Sequence, residues 1–192
     1  LQSDSEIRKS FRRFFGNPDQ DYEKALNKFY SRGQRPDWTD SYITPYASSH
    51  PIEDWAETWG HYLHIYDGLE TAKAFNLIEP NSGQAGVRHR LKTWQDLTIK
   101  LNEMNRSMGL NDLYPFVINE PVIQKFEYID EIIRDIAESV MRQMVGDTSV
   151  NYLLTQGRET LANQAKKEMT KAVQRFGLGI TIDQLITQDV NP

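Results

Sequence analysis

Residues 49–75 read SHPIEDWAETWGHYLHIYDGLETAKAF. Pro51 suits a first helical turn, and Glu53 places negative charge at the positive end of a helix dipole. The stretch predicts one long helix from Pro51 to about Phe75. At ~100° per residue, Glu53, Glu57, Gly60 and His64 fall on one stripe, with Asp54 and His61 beside it. Ile52, Trp55, Trp59, Tyr62, Leu63 and Tyr66 occupy the other side, and a set of this kind reads as core.

The flanking sequence repeats the helical pattern. Ile7, Phe11, Phe14 and Phe15 share a face of a helix from Asp4 to Phe15, which Gly16-Asn17-Pro18 stops. A second helix is expected over 21–32, with Tyr22, Leu26, Phe29 and Tyr30 as its apolar stripe and Gly33 after it. Residues 34–49 read as an ordered, aromatic-bearing loop, and 80–86 as a break. Residues 88–108 read as a helix burying Leu91, Trp94, Leu97, Leu101, Met104 and Met108, ended by Gly109. Asn119 is a good cap for a further helix with Pro121 in its first turn. Its apolar positions run through Phe126, Ile129, Ile133, Ile136 and Val140 to Met144. Beyond Gly146, a short helical turn is expected near 150–154, a helix over 156–176, and one strand around 179–188. The expected fold class is mainly α.

Composition bounds the function. Hydrophobic residues make up 39% and charged residues 26% of 192, which suits a chain with a real core. A net charge of -5 gives no general electrostatic case for nucleic acid. No stretch is apolar for long enough to span a bilayer, and no targeting signal opens the chain. Cysteine is absent, which excludes disulfides, thiolate zinc sites and cysteine nucleophiles. The chain opens on Leu1 rather than Met, as expected of a fragment or a processed product.

Two carboxylates and two imidazoles on adjacent turns of one helix are suitable metal or proton-transfer groups. The same spacing also describes a solvated face with ordinary Glu–His pairs four residues apart, and spacing alone leaves both readings open. His89, between Arg88 and Arg90, reads as an exposed basic helix start. Arg106 and Asp112 read as polar anchors of the adjoining loop.

YASSHPIEDWAETWGHYLHIYDGLETAKAF, FRRFFGNPDQDYEKAL and LNEMNRSMGLNDLYPFVINEPVIQKFEYI occur in the order in which similar segments occur in a bacterial zinc-metallopeptidase family. Residues 1–130 thus resemble the C-terminal portion of that family's domain. The resemblance implies a zincin-like, multi-helix subdomain of a zinc hydrolase in which two histidines of a His-Glu-x-x-His motif hold the metal and the glutamate activates bound water. No His-Glu dipeptide occurs in these 192 residues. By the resemblance, metal ligation falls to Glu53, Glu57, His61 and His64, with Glu53 the best candidate for the third zinc ligand, while Asp54 and His50 support the ligands. No catalytic residue carries over. Zinc is the implied cofactor, bound weakly or not at all by this stretch alone, with no peptidase activity expected of it. A bacterial cytoplasmic location is implied.

Residues 131–192 resemble the closing segment of the SPFH domain in HflK-type proteins. The marks are Glu138-Ser139, Val145-Gly146, Leu154-Thr155-x-Gly157-Arg158, Arg175-Phe176-Gly177-Leu178-Gly179-Ile180 and Gln188-Asp189-Val190-Asn191-Pro192. This resemblance implies a membrane-associated scaffold at the inner membrane, partnering an HflC-like protein or a membrane AAA protease and bringing no catalytic residues. Glu159, Lys166, Lys167 and Lys171 then form a solvated helix face. The two resemblances meet between Asp130 and Ala137, inside one continuous helical pattern and without a Pro/Gly/Ser linker. A deletion fusion, a recombined reading frame or a sequence-assembly artefact is the expected origin. Single-molecule DNA sequencing across codons 125–144 tests it.

Overall fold

In the computed structural model, residues 4–79, 86–146, 163 and 165–171 are described. They are helical apart from turns and connecting loops, with no strand among them. Helix α1 spans Asp4–Phe15, α2 Tyr22–Arg32, α3 Pro51–Ala74, α4 Val87–Ser107 and α5 Glu120–Gly146. Two 3-10 turns, Trp38–Asp40 and Tyr46–Ser49, give form to the expected loop between α2 and α3. The strand expected around 179–188, the turn near 150–154 and most of the 80–86 break lie outside the described residues.

Local chemistry sets the helix ends. Asp21 Oδ1 accepts the Lys24 backbone N–H at 3.0 Å, and Gly33, at φ 78°, closes α2 by donating its N–H to the Phe29 carbonyl. At the start of α5, Asn119 Oδ1 accepts from the Val122 N–H. The cap of α3 is His50, whose Nδ1 accepts the Ile52 N–H at 3.1 Å. The unprotonated ring nitrogen takes the acceptor role that a side-chain oxygen usually fills at this position.

The chain divides into two compact units, residues 2–130 and residues 131–192, the latter counted with Leu1. In the first, Ile43, Ile65, Val122, Phe126 and Ile129 are almost completely buried. An aromatic series crosses the same unit. Phe11 and Phe15 meet Trp55, Trp55 stacks on Trp59 at 5.8 Å, Trp59 on Tyr62, and Phe14 on Tyr128. In the second unit, Val140, Ala165 and Met169 form a small apolar cluster. Residues 165–171 are helical, as expected, and Lys167 and Lys171 are exposed on them.

Several apolar residues assigned to the core by periodicity lie outside it. Tyr22 and Tyr30 are exposed, and α2 buries no residue. Ile52 and Leu63 on α3, and Met104 and Met108 at the end of α4, are also exposed. In each case the 3.6-residue pattern continues past the reach of the neighbouring elements. Arg106 is an anchor as expected, its guanidinium donating to both Asp112 carboxylate oxygens at 2.6 Å.

Candidate metal-ligand helix

Helix α3 carries every candidate ligand. Glu53 sits half-buried in its first turn, where the Tyr22 hydroxyl donates to Oε1. That bond, ahead of other effects, raises the Tyr22 pKa. One turn on, Glu57 Oε2 accepts from Thr44 Oγ1 at 2.7 Å, and Thr44 Oγ1 in turn accepts the Ala47 N–H at 3.0 Å. Glu57 thereby ties α3 to the 3-10 turn before it.

His61 and His64 part company. His64 is exposed, while His61 is buried with its ring 4.4 Å from Phe116 and 5.6 Å from Tyr114. Burial, reinforced by the field of His64, pulls the His61 pKa down to about 4, so its ring is neutral at physiological pH. Tyr114 Oη lies 2.9 Å from Nδ1 and donates to it when the ring proton is on Nε2. The two imidazoles are 6.1 Å apart, edge to face.

The two residues expected to support ligands, His50 and Asp54, make contacts that tie α3 to its neighbours. His50 is buried; besides capping α3, its Nε2 lies 3.3 Å from the Gln20 carbonyl, to which it donates. Asp54 is buried against Lys125 of α5. Lys125 Nζ donates to Asp54 Oδ2 and to the Ser41 carbonyl, both at 2.6 Å, and lies 4.6 Å from the centre of the Tyr42 ring. Thr58 adds a longer contact to Asp54 at 3.4 Å. Burial pushes the Asp54 carboxyl up to about 6 against the opposing field of Lys125, and burial also lowers the Lys125 pKa. The two opposed charges and the full set of donors hold the pair ionised at neutral pH.

Lys125 escaped the sequence reading, although a signal exists. It lies between Val122, Phe126 and Ile129 on the buried stripe of α5, and a lysine there demands an acidic partner. Tyr22, Thr44 and Tyr114 are far in sequence from the groups they bind, and nothing local announces them.

The residues present do not fit a zinc ion by themselves. Glu53 turns to α2, Glu57 to the 3-10 turn, His61 into the interior and His64 to solvent. Among the described residues, no three His, Cys, Asp or Glu side chains are placed to hold a metal, whereas a tight site needs three or four converging ligands.

Comparison with known proteins follows the same division. Residues 1–132 match the family model described as "Putative zinc-binding metallo-peptidase", and residues 111–192 match that of the "SPFH domain / Band 7 family". The overlap of the two matches falls on α5 and the loop before it. Uncharacterized proteins of Mycobacterium tuberculosis and Mycobacterium bovis are 39% identical over 144 residues, 71% of this chain and 42% of theirs. Protein HflK of Buchnera aphidicola subsp. Schizaphis graminum is 28% identical over 79 residues, 40% of this chain and 19% of its own. The chain thus spans less than half the length of these curated relatives. No solved structure matches it. With more than half of its residues inside the first model, this chain belongs to the family so described, and its C-terminal part carries an SPFH-family match.

Proposed function

We propose that residues 1–130 are the ligand-supplying and supporting part of a zinc-metallopeptidase domain, an incomplete site rather than a working one. Glu53 is the side chain assigned to the metal, held at the start of α3 by the His50 cap and the Tyr22 hydroxyl. Glu57 and His64 stand beside it as further donors, and His61 is the least available because it is buried and bonded to Tyr114. The observation that carries this reading is the divergence of the four α3 candidates, three toward different neighbours and His64 toward solvent. The test is a peptidase assay on the full chain across a mixed peptide library, with added zinc and with chelator. No zinc-dependent cleavage is expected. Cleavage that chelator abolishes overturns the reading.

The match of residues 111–192 to the SPFH model and the HflK relatives favour a second reading for the C-terminal part. Residues 131–192 act as a scaffold segment that engages an SPFH-family partner, HflC-like by resemblance, or a membrane protease. The junction with the first part then marks a composite of two families. No described helix is long and apolar enough to cross a membrane. Co-purification of the full chain with a co-expressed HflC-like protein, lost on deleting residues 147–192, supports it. Equal recovery with and without that segment overturns it.

A further inference from the structure

A groove of about 750 Å³ lies between α2 and the segment leading into α3. Its floor is apolar and includes Phe29, Ala47 and Pro51. Its rim is cationic. Lys24, Lys28 and Arg32 line it from one face of α2, and Arg35 lines it from the following loop. Asp21 is the single carboxylate on its border, and that side chain is taken up in capping α2. Arg35 is paired with Asp37, which lies outside the groove. No ion pair of Lys24, Lys28 or Arg32 is formed among the described residues, and all three are exposed. The groove is locally positive although the chain carries a net charge of -5.

Helix α2 buries no residue completely. Phe29 meets the Tyr46 ring edge to face and Tyr22 bonds to Glu53, whereas Lys24, Lys28 and Arg32 are exposed. Three cations at positions i, i+4 and i+8 give a row with a rise of about 6 Å per step. Alternate side chains of an extended peptide repeat at about 6.6 Å on one side of the strand. Acidic side chains at alternate positions therefore meet successive cations, while the remaining side chains face away or settle on the apolar floor.

We infer that this groove binds an extended acidic peptide segment, with carboxylates at alternate positions paired to Lys24, Lys28 and Arg32. The match is to spacing and charge together, and it involves no metal. It therefore goes beyond the incomplete-site reading and survives that reading's failure.

The experiment uses the full chain and a fluorescent peptide of sequence Glu-Thr-Glu-Thr-Glu, followed by anisotropy at low and at physiological salt. The same peptide with Gln for Glu and a single-stranded oligonucleotide of equal charge serve as comparators. Salt-sensitive binding of the acidic peptide is expected, with the Gln peptide about tenfold weaker or worse. The double reversal K24E/K28E should weaken binding by about tenfold, and K92E/K100E on α4, which changes net charge equally, by less than about twofold. Equal weakening by the two double variants, no preference over the Gln peptide, or tighter binding of the oligonucleotide overturns the proposal. Should K24E/K28E fail to fold, carbodiimide coupling of the peptide to the unaltered chain decides. Cross-links at Lys24 or Lys28 support the groove, and cross-links confined to other lysines overturn it.

Discussion

The two faces of α3 use the same residue types for opposite ends. On the inner face, Asp54 meets Lys125, and His61 meets Tyr114; both are buried and matched to a donor or acceptor. On the outer face, Glu53 and Glu57 are half-buried, each with one hydroxyl donor, and His64 is in solvent. An acidic or imidazole side chain that is buried with a full set of partners is committed to the fold. One on the rim with a single neutral partner keeps lone pairs for something else. The distinction lies in surroundings and not in residue type, so it can be broken or sharpened by substitution.

The largest effect is expected from Lys125→Ala. Removing the cation leaves Asp54 buried and unpaired, which should cost about 3–5 kcal/mol in chemical denaturation. The double change Asp54→Leu with Lys125→Met should recover most of that loss, because packed apolar side chains often replace a buried ion pair at little cost. If Lys125→Ala proves neutral, the inner face is not the committed one.

His61 gives a pH signature. Its pKa is near 4 in the folded chain against about 6.5 unfolded, so the unfolded chain takes up its proton first. The stabilising contribution is present above pH 6.5 and is lost as pH falls toward 4, amounting to about 3 kcal/mol at full extent. Asp54 acts in the opposite sense. Its folded pKa of about 6 lies above the ordinary carboxylate value, so its contribution is largest at low pH and declines as pH rises through 6. The difference in stability between the native chain and His61→Phe isolates the histidine, and that difference should shift against the native chain as pH drops from 6.5 to 4. A pH-independent difference contradicts the burial argument.

Two glycines on the same helix sharpen the contrast further. A Cβ on Gly68 would overlap the Trp94 ring, whereas one on Gly60 would meet nothing within 4 Å. Gly68→Ala should therefore lower stability by about 1–3 kcal/mol through overpacking. Gly60→Ala should raise it by up to about 1 kcal/mol through helix propensity alone. Thermal melts of the two variants moving in opposite directions are the expected result. The smallest effect is assigned to Glu53→Ala, less than about 0.5 kcal/mol on folding, as for most partly exposed surface changes.

Much of this was legible before the structure. Several helix ends fall where caps, prolines and glycines place them, because those signals act within one turn. Asn119 and Gly109 are examples. The length of α3 and the aromatic core under it also follow from local pattern. Burial on the margins did not. Met104, Met108, Ile52 and Leu63 carry the periodicity of a buried face, yet whether a neighbouring element reaches them is decided by topology. For the site, residue types and helix were readable, but commitments were not. His50 as a cap, Asp54 as the partner of Lys125 and His61 as the partner of Tyr114 depend on contacts 2, 71 and 53 residues apart. The last two lie beyond any local rule.

The central claim is that the outer face of α3 offers zinc donors without a complete site. Calorimetric titration of zinc into the full chain tests it most directly, alongside Glu53→Ala and His61→Ala. Weak binding is expected, reduced further by Glu53→Ala and changed little by His61→Ala because that ring is already engaged by Tyr114. Tight stoichiometric zinc binding, unaffected by Glu53→Ala, would contradict it.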